Sequence, residues 1–193
     1  MIRPVNLLSL GCVIVLSPMA GCRPAPEEYT GGMRRDSAVH TMPPAYWFLE
    51  QPGVGMKEVD SIWATLPYDS IYLRRDPCFG TCPMYDATLY RGGRARYHGI
   101  RFVGQVGDFQ GQVTLQDYGR LSYLLDRFEF MTLPDSFSVQ VTDLPGATLA
   151  ATRRPGGTKS VHDYGYVGPV ELWTLMQVFD GVVGRIQWQK SGP

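Results

Sequence analysis

The sequence has no excess of either charge, because 18 Lys and Arg side chains are balanced by 18 Asp and Glu side chains. A chain without net charge exerts no long-range attraction on nucleic acid, which disfavours a DNA- or RNA-binding protein. Histidine is scarce as well, and the three histidines form none of the His-x-His or His-x-x-x-His spacings typical of metal sites: His40, His98 and His162. We therefore expect no nucleic-acid partner, no metal and no other cofactor.

The sequence also has no run of about 20 apolar residues, the length that a helix needs to cross a lipid bilayer. An uncharged apolar segment, residues 7–16, follows Arg3 and precedes two small residues and Cys22. This pattern is typical of a secretory signal. The residues around Cys22 resemble the lipobox of bacterial lipoproteins, in which cleavage leaves the cysteine as a lipidated first residue. We predict a signal peptide over residues 1–21 and attachment of lipid, palmitate included, at Cys22; the alternative is a secreted protein that is cleaved elsewhere.

The sequence next to the predicted lipidation site also indicates where the protein is located. Because Arg23 rather than Asp follows the modified cysteine, the resemblance to bacterial lipoprotein sorting favours the outer membrane, with the domain facing the periplasm. The protein would then contact the membrane through its N-terminal lipid. Its partners would be an envelope protein or a component of the cell wall.

Cysteine is scarce, with four residues at positions 12, 22, 78 and 82. Cleavage removes the first and acylation uses the second, which leaves Cys78 and Cys82 as the thiols of the mature chain in an oxidising compartment. We predict a structural disulfide between them. A redox-active pair is one alternative, although three residues separate the cysteines and a strand rather than a helix follows. Metal ligation is another, although a zinc site would need two further ligands.

Residues 22–66 are interpreted as a lipidated N-terminus and tether. The first half of this region is rich in proline, glycine and charged side chains and shows no apolar periodicity, which is typical of a flexible linker. Residues 45–49 and 59–66 are apolar enough to dock on a core as an extra layer. A single domain is expected over residues 67–188.

Three segments of this domain alternate apolar with polar residues, the period of a half-buried strand: Ile71 and Leu73; Tyr85, Ala87 and Leu89; Ala95 and Tyr97. Apolar stripes with helical spacing predict one helix over residues 115–129, capped by Thr114, and another that has Pro169 at its first position. Residues 147–153 and 158–163 are predicted to form a second hairpin. The order βββαββα indicates an α+β domain whose two helices pack on one face of an antiparallel sheet.

Glycines mark several positions in this pattern. A three-residue loop at 91–93, with Gly93 in a left-handed conformation, is predicted because it pairs Leu89 with Ala95 and keeps apolar side chains on one face. Gly119 lies inside the first predicted helix, where it costs about 1 kcal/mol relative to alanine, so packing must hold that helix. Residues 104–111 lack the Lys-Ser/Thr end of a phosphate-binding loop and are interpreted as turns.

Residues 78–85 read Cys-Phe-Gly-Thr-Cys-Pro-Met-Tyr. They resemble the C-F-G-x-C-P-x-Y signature of the bacterial family known as domain of unknown function 6438, which occurs in many small secreted lipoproteins. Further matches to the family pattern extend the resemblance to about residues 71–186: Gly93, Thr142 to Pro145, Pro169 and Leu172. The resemblance implies a secreted α+β module with the cysteine loop at its centre, and it implies no activity.

The candidate binding surface lies where loops are expected to gather on the sheet, and it contains no predicted catalytic residue. Its members are Phe79, Tyr85, Asp143, His162 and Tyr164, on the loop 78–85, the turn 143–145 and the segment 162–166. Phe79 is either an exposed contact residue on a cross-linked loop or a side chain that folds back into the core. The favoured function is a non-enzymatic binding module; the alternative is a thiol-disulfide or other envelope enzyme that uses Cys78 and Cys82.

Two other groupings are weaker candidates. Ser160, His162 and Asp163 contain the residue types of a hydrolase triad, but neighbouring residues of a strand point to opposite faces, so His162 and Asp163 are not expected to pair. A set of arginines near Tyr90 would form an anion-binding face, or more simply a solvated face of the sheet: Arg74, Arg94 and Arg96.

Overall fold

The structure is a computed structural model in which residues 42–51 and 56–192 are described. The predicted signal peptide, Cys22 and the first part of the tether lie outside the described residues. Within the described part of the chain, no helix is both long and apolar enough to cross a membrane.

Eight strands form one sheet. In chain order they are β1 (Tyr68–Arg75), β2 (Met84–Tyr90), β3 (Arg94–Arg101), β4 (Gly107–Gln112), β5 (Ser136–Ser138), β6 (Gly146–Arg153), β7 (Gly157–Tyr164) and β8 (Gln189–Lys190). Their order across the sheet is β5-β7-β6-β1-β2-β3-β4-β8. All neighbouring strands are antiparallel except β5 and β7, which are parallel.

The helices in the described residues are α1 (Met56–Thr65), α2 (Leu115–Arg127) and α3 (Val170–Arg185), with short 3₁₀ helices at Pro44–Glu50 and Phe130–Thr132. The Thr114 side chain caps α2, because its Oγ1 accepts a hydrogen bond from the Asp117 backbone N–H at 3.1 Å. Pro169 is the N-cap of α3 rather than its first residue, so the helix begins one residue later than predicted.

The helices cover one face of the sheet. In β1 the side chains of Ile71 and Leu73 are buried, and they share one core with buried side chains of α2 and α3 such as Leu121 and Phe179. The alternate positions of the strand, such as Tyr72, are half-buried or exposed. The opposite face of the sheet is therefore its open face.

The α+β class and a mostly antiparallel sheet are confirmed, but the predicted order βββαββα and the layer of two helices are wrong. The observed order is αββββαβββαβ. The additional elements are α1, β4, β5 and β8, of which β5 and β8 have three and two residues. Such short edge strands carry too few side chains to show an alternating pattern.

Strand β4 corrects the interpretation of residues 104–111 as turns, because residues 107–111 belong to this strand. Its sequence contains a single large apolar residue, Phe109, so apolar alternation does not reveal it. Gly111 is required by packing: a Cβ atom there would lie 2.5 Å from Ile186 Cγ2 and 3.1 Å from Trp188 Cε3. The glycine lets the C-terminal segment pass directly over the strand.

The register of the hairpin between β2 and β3 is confirmed. Leu89 pairs with Ala95 and Ala87 pairs with Tyr97, as a three-residue loop requires. Gly93 has φ +95°, a conformation that favours glycine. The apolar side chains of both strands therefore share the covered face.

The two possible docking segments both pack on the core. Tyr46 and Phe48 of the first 3₁₀ helix and Trp63 of α1 are buried. Phe48 lies against Gly119 of α2, where an added Cβ atom would be 2.3 Å from Phe48 Cζ. The hydroxyl of Tyr46 donates a hydrogen bond of 2.7 Å to Asp126. The glycine inside α2 is thus explained by the aromatic ring that occupies the space of its missing side chain.

Candidate binding cleft

A cleft lies at one end of the covered face of the sheet. The last inward-facing residues of the neighbouring strands form a row there, and this row combines polar and small residues. Arg75 at the end of β1 is flanked by Ala147 on one side and Tyr85 on the other, and Tyr85 pairs in turn with Gly99. Arg75 is in phase with the buried Ile71 and therefore points toward the helices. Arg75 and Tyr85 of this row line the cleft, whereas Ala147 and Gly99 do not.

Asp180 of α3 forms an ion pair with Arg75. Arg75 Nη2 donates to Asp180 Oδ2 at 2.5 Å, and Arg75 Nε donates to Asp180 Oδ1 at 3.4 Å. The Tyr85 hydroxyl also donates to Asp180 Oδ1. Arg75 Nη1 donates to the hydroxyl of Tyr166 at 3.1 Å. Four side chains from β1, β2, α3 and the β7–α3 turn thus form one hydrogen-bonded floor.

The protonation of this floor follows from burial and charge. Burial raises the pKa of Tyr85 above its usual value, and the negative charge of Asp180 and the hydrogen bond to it raise the pKa further, so Tyr85 remains a donor. Burial opposes the charge of Arg75, but its hydrogen bond to Asp180 and the charge of that carboxylate outweigh this, and the pKa of Arg75 is raised. Arg75 and Tyr85 therefore both stay protonated and donate hydrogen bonds to Asp180.

The cleft above this floor has a volume of about 550 Å³. Loops and α3 supply its walls, which are mostly apolar or aromatic, and Gln177 adds a neutral polar group. The residues that line the walls include Cys82, Pro83, Phe102, Val103, Pro145 and Val183. A mostly apolar cavity with a few fixed polar groups is the usual form of a small-ligand site.

The cysteine loop forms one side of the cleft. Cys78 and Cys82 are joined by a disulfide, as predicted. The Phe79 backbone N–H donates to the carbonyl of Asp143 at 3.1 Å, which ties the loop to the β5–β6 connection. The Phe79 side chain is 88% exposed, so it projects from the loop and does not fill the core.

Two aromatic residues on opposite loops of the cleft have a left-handed backbone. Phe102 has φ +56° in the β3–β4 loop and Tyr166 has φ +54° in the β7–α3 turn. This conformation costs about 1–3 kcal/mol for a residue other than glycine, and such residues concentrate at binding sites. Gly99 makes the first loop possible, because a Cβ atom there would lie 1.8 Å from the Gln105 carbonyl oxygen.

The β7–α3 turn is held by Asp163, which is fully buried. Its Oδ1 accepts hydrogen bonds from the backbone N–H groups of Val167 at 3.0 Å and Gly168 at 3.1 Å. Burial raises the pKa of Asp163 above its usual value, and the two N–H donors and the charge of His162 offset only part of this effect. Asp163 is therefore the residue that positions Tyr166 over the cleft.

The structure brings some of the predicted surface residues to the cleft and places others elsewhere. Tyr85 lines the cleft as a buried part of its floor, because it is in phase with Ala87. Asp143 is exposed and holds the cysteine loop. His162 and Tyr164 are in phase with the open face and are not part of the cleft lining.

The remaining candidates lie on the open face of the sheet, except Asp163, which is buried on the covered side. His162 Nδ1 is 3.1 Å from Thr148 Oγ1, while Asp163 is buried on the other side of the strand. Arg74 pairs with Asp76 at 2.7 Å, and the Arg94 guanidinium lies 4.3 Å from the centroid of the Tyr90 ring. Within residues 42–51 and 56–192, no group of three or more His, Cys, Asp or Glu could hold a metal ion.

Tyr166 belongs to the predicted segment 162–166, but three residues of the cleft were missed by reasoning from sequence: Arg75, Phe102 and Asp180. Two of them carry a detectable signal. Arg75 follows Ile71 and Leu73 in the alternation of β1, and Asp180 follows Met176 by one turn in the apolar stripe of α3. A cation and an anion at two inward-facing positions indicate a buried pair.

The cleft and its cysteine loop lie in a region that matches a known family. Residues 69–183, more than half of the chain, match the family described as Domain of unknown function (DUF6438). The chain belongs to this family. The matched residues include both cysteines and all four side chains of the cleft floor. No curated protein matches the chain in sequence.

Proposed function

We propose that the chain is a lipid-anchored protein of the bacterial cell envelope whose domain binds an envelope component in the cleft without catalysing a reaction. The observation that carries this proposal is the cleft itself, an apolar cavity over a polar floor. The floor is hydrogen-bonded before any ligand arrives, and the disulfide cross-links one wall. A site held in this way loses little conformational entropy when it binds.

The proposed membrane attachment and the proposed location both depend on lipidation of Cys22. The short apolar segment before it and the absence of Asp after it favour acylation and sorting to the outer membrane, with the domain facing the periplasm. Replacement of Cys22 by alanine is expected to abolish labelling with a palmitate analogue and to release the protein from the membrane or leave it unprocessed. Unchanged labelling and unchanged membrane partition would contradict the lipid anchor.

Two glycines allow the cleft to be tested without disturbing the fold. Gly104 lines the cleft, and a Cβ atom there would meet nothing within 4 Å; Gly192 lies outside the cleft and is equally open. Gly104→Trp should therefore fill the cleft, and Gly192→Trp is a matched control. Hydrogen–deuterium exchange of the non-acylated mature chain with solubilised cell-wall fragments or envelope extract is expected to show slower exchange at residues 99–104 and 165–184.

This protection should disappear in Gly104→Trp and persist in Gly192→Trp. Protection that is the same in both variants would place the binding site elsewhere. Absence of protection in the wild type with every envelope fraction would contradict the binding function.

A thiol-disulfide enzyme is the second candidate function, and one observation favours it: Cys82 lines the cleft, so a substrate in the cleft would meet the disulfide. The loop precedes β2 rather than a helix, however, so it lacks the helix N-terminus that activates the cysteines of thioredoxin-type enzymes. Measurement of the reduction potential separates the two functions. A value below about −300 mV is typical of a structural disulfide, and a value near those of disulfide oxidoreductases would favour the enzyme.

A further inference from the structure

The two charged side chains that face the cleft, Asp180 and Arg75, differ in exposure. Asp76 also lines the cleft, but its carboxylate is turned to the open face, where it pairs with Arg74 at 2.7 Å and lies 3.7 Å from His162 Nδ1. The other lining residues are uncharged. The side chain of Asp180 is 33% exposed, whereas that of Arg75 is 8% exposed. A ligand that enters the cleft therefore meets the carboxylate of the pair rather than the guanidinium.

From this difference in exposure we propose that the cleft binds an organic cation, namely a primary amine or a guanidinium on an apolar stem. This inference rests on the proposed function, because it assumes that the cleft is a binding site. The shared chemistry is that of a lysine or arginine side chain in a peptide and of a free alkylamine. A carboxylate or phosphate ligand would instead need access to Arg75, whose donors are turned to Asp180 and Tyr166.

Asp180 retains capacity to accept a hydrogen bond. A carboxylate offers about four acceptor positions. Three are used, by Tyr85 and by two nitrogens of Arg75. Because both donors stay protonated, the carboxylate is fixed in place with its remaining acceptor position free for a ligand donor. A charge-assisted hydrogen bond to an ammonium or guanidinium group is the strongest that such a position can form.

The aromatic rim suits the same class of ligand. Phe102 and Tyr166 are 42% and 37% exposed, so each ring offers surface to the cleft or its mouth. The Arg75 guanidinium already lies 5.7 Å from the centroid of the Tyr166 ring. The Arg101 guanidinium lies 4.4 Å from that of the Phe102 ring, so a ligand cation would use the other face of each ring. Ring faces attract cations at this distance. The apolar wall that includes Val103 and Val183 would hold the stem of the ligand.

Three probes differ mainly in the charge of the side chain: the Nα-acetyl methylamides of lysine, norleucine and glutamate, which are cationic, neutral and anionic. Two further probes distinguish the source of the cation: butylamine and the tripeptide Ala-Lys-Ala with blocked ends. Binding to the non-acylated mature chain is measured by calorimetry at low and high salt. We expect the lysine probe to bind about tenfold more tightly than the norleucine probe. We also expect its affinity to fall at high salt.

Gln177 allows the charge of the cleft to be changed without breaking the buried pair, because it is exposed on α3 and lines the cleft. Gln177→Glu should tighten binding of the lysine probe and Gln177→Lys should weaken it, each by severalfold. Gln110, on the open face of the sheet, provides the control, and Gln110→Lys should leave the affinity unchanged. Asp180→Asn should abolish binding if its unfolding curve shows that it folds.

Tighter binding of the tripeptide than of butylamine would identify a peptide as the source of the cation, and equal binding would identify a small amine. Equal affinity for the lysine and norleucine probes, or tighter binding of the glutamate probe, would overturn the cation while leaving the cleft as a binding site. Failure of all probes to bind would also overturn it. The exchange experiment with envelope fractions then decides separately whether the cleft binds another ligand.

Discussion

The substitution Gly119→Ala tests how the N-terminal 3₁₀ helix is held on the domain. In an isolated helix, alanine would be more stable than glycine by about 1 kcal/mol. Here the new Cβ atom would lie 2.3 Å from Phe48 Cζ and 2.8 Å from Phe48 Cε2, both closer than atoms approach in folded proteins. Phe48 is fully buried, so it has to move toward solvent. Exposure of a buried phenylalanine costs up to about 3 kcal/mol.

The expected net effect of Gly119→Ala is therefore a loss of about 1–2 kcal/mol in the free energy of unfolding, which lowers Tm by several degrees. In a chain that already carries Phe48→Ala, the space is free, and the same substitution should stabilise α2 by about 1 kcal/mol. Urea unfolding of the four chains measures both effects. A stabilising effect of Gly119→Ala in the wild-type background, equal to that in the Phe48→Ala background, would refute the contact.

Three further predictions concern the surroundings of the cleft. Replacement of both Cys78 and Cys82 by serine should cost about 2 kcal/mol, because the closed ring is small, and a Tm equal to that of the wild type would contradict a structural role for the disulfide. Phe79→Ala should change the free energy of unfolding by less than about 0.5 kcal/mol, because the side chain is exposed, and a large loss would show that it packs on the core. Asp163→Asn keeps an acceptor for the two N–H groups of the β7–α3 turn but removes the cost of burying a charge. Since burial raises the folded-state pKa of Asp163, that cost is absent below the unfolded-state pKa of about 3.9 and grows as pH rises toward the folded-state value. The stability of Asp163→Asn relative to the wild type should therefore increase with pH, as urea unfolding between about pH 4 and 7 would show, whereas a constant difference would contradict the effect of burial.

Elements whose signals are local were predicted correctly. The cap at Thr114 and the apolar stripe of α2 are contained within one helix, and the parity of β2 and β3 determines their register across a short loop. The same parity also places Tyr85 on the covered face, in phase with Ala87 and Leu89, so it reaches the candidate binding site as part of the cleft floor.

Elements that depend on distant parts of the chain could not be predicted in this way. Strand β4 has few apolar residues, and Gly111 is explained only by the approach of Trp188 from the other end of the domain. Arg75 and Asp180 are 105 residues apart, so their inward phases show two unusual charges but not that these charges meet. The cleft arises from contacts between loops, whose conformations have no periodic signal.

Photocrosslinking in intact cells tests most directly whether the cleft is the binding site of an envelope-anchored protein. A photoreactive amino acid is placed at Phe102, on the rim of the cleft, or at Gln110, on the open face of the sheet. We predict an adduct with an envelope component from position 102 that is absent from position 110 and is lost when Gly104→Trp fills the cleft. The same adduct from both positions, or an adduct from position 102 that survives Gly104→Trp, would contradict binding in the cleft.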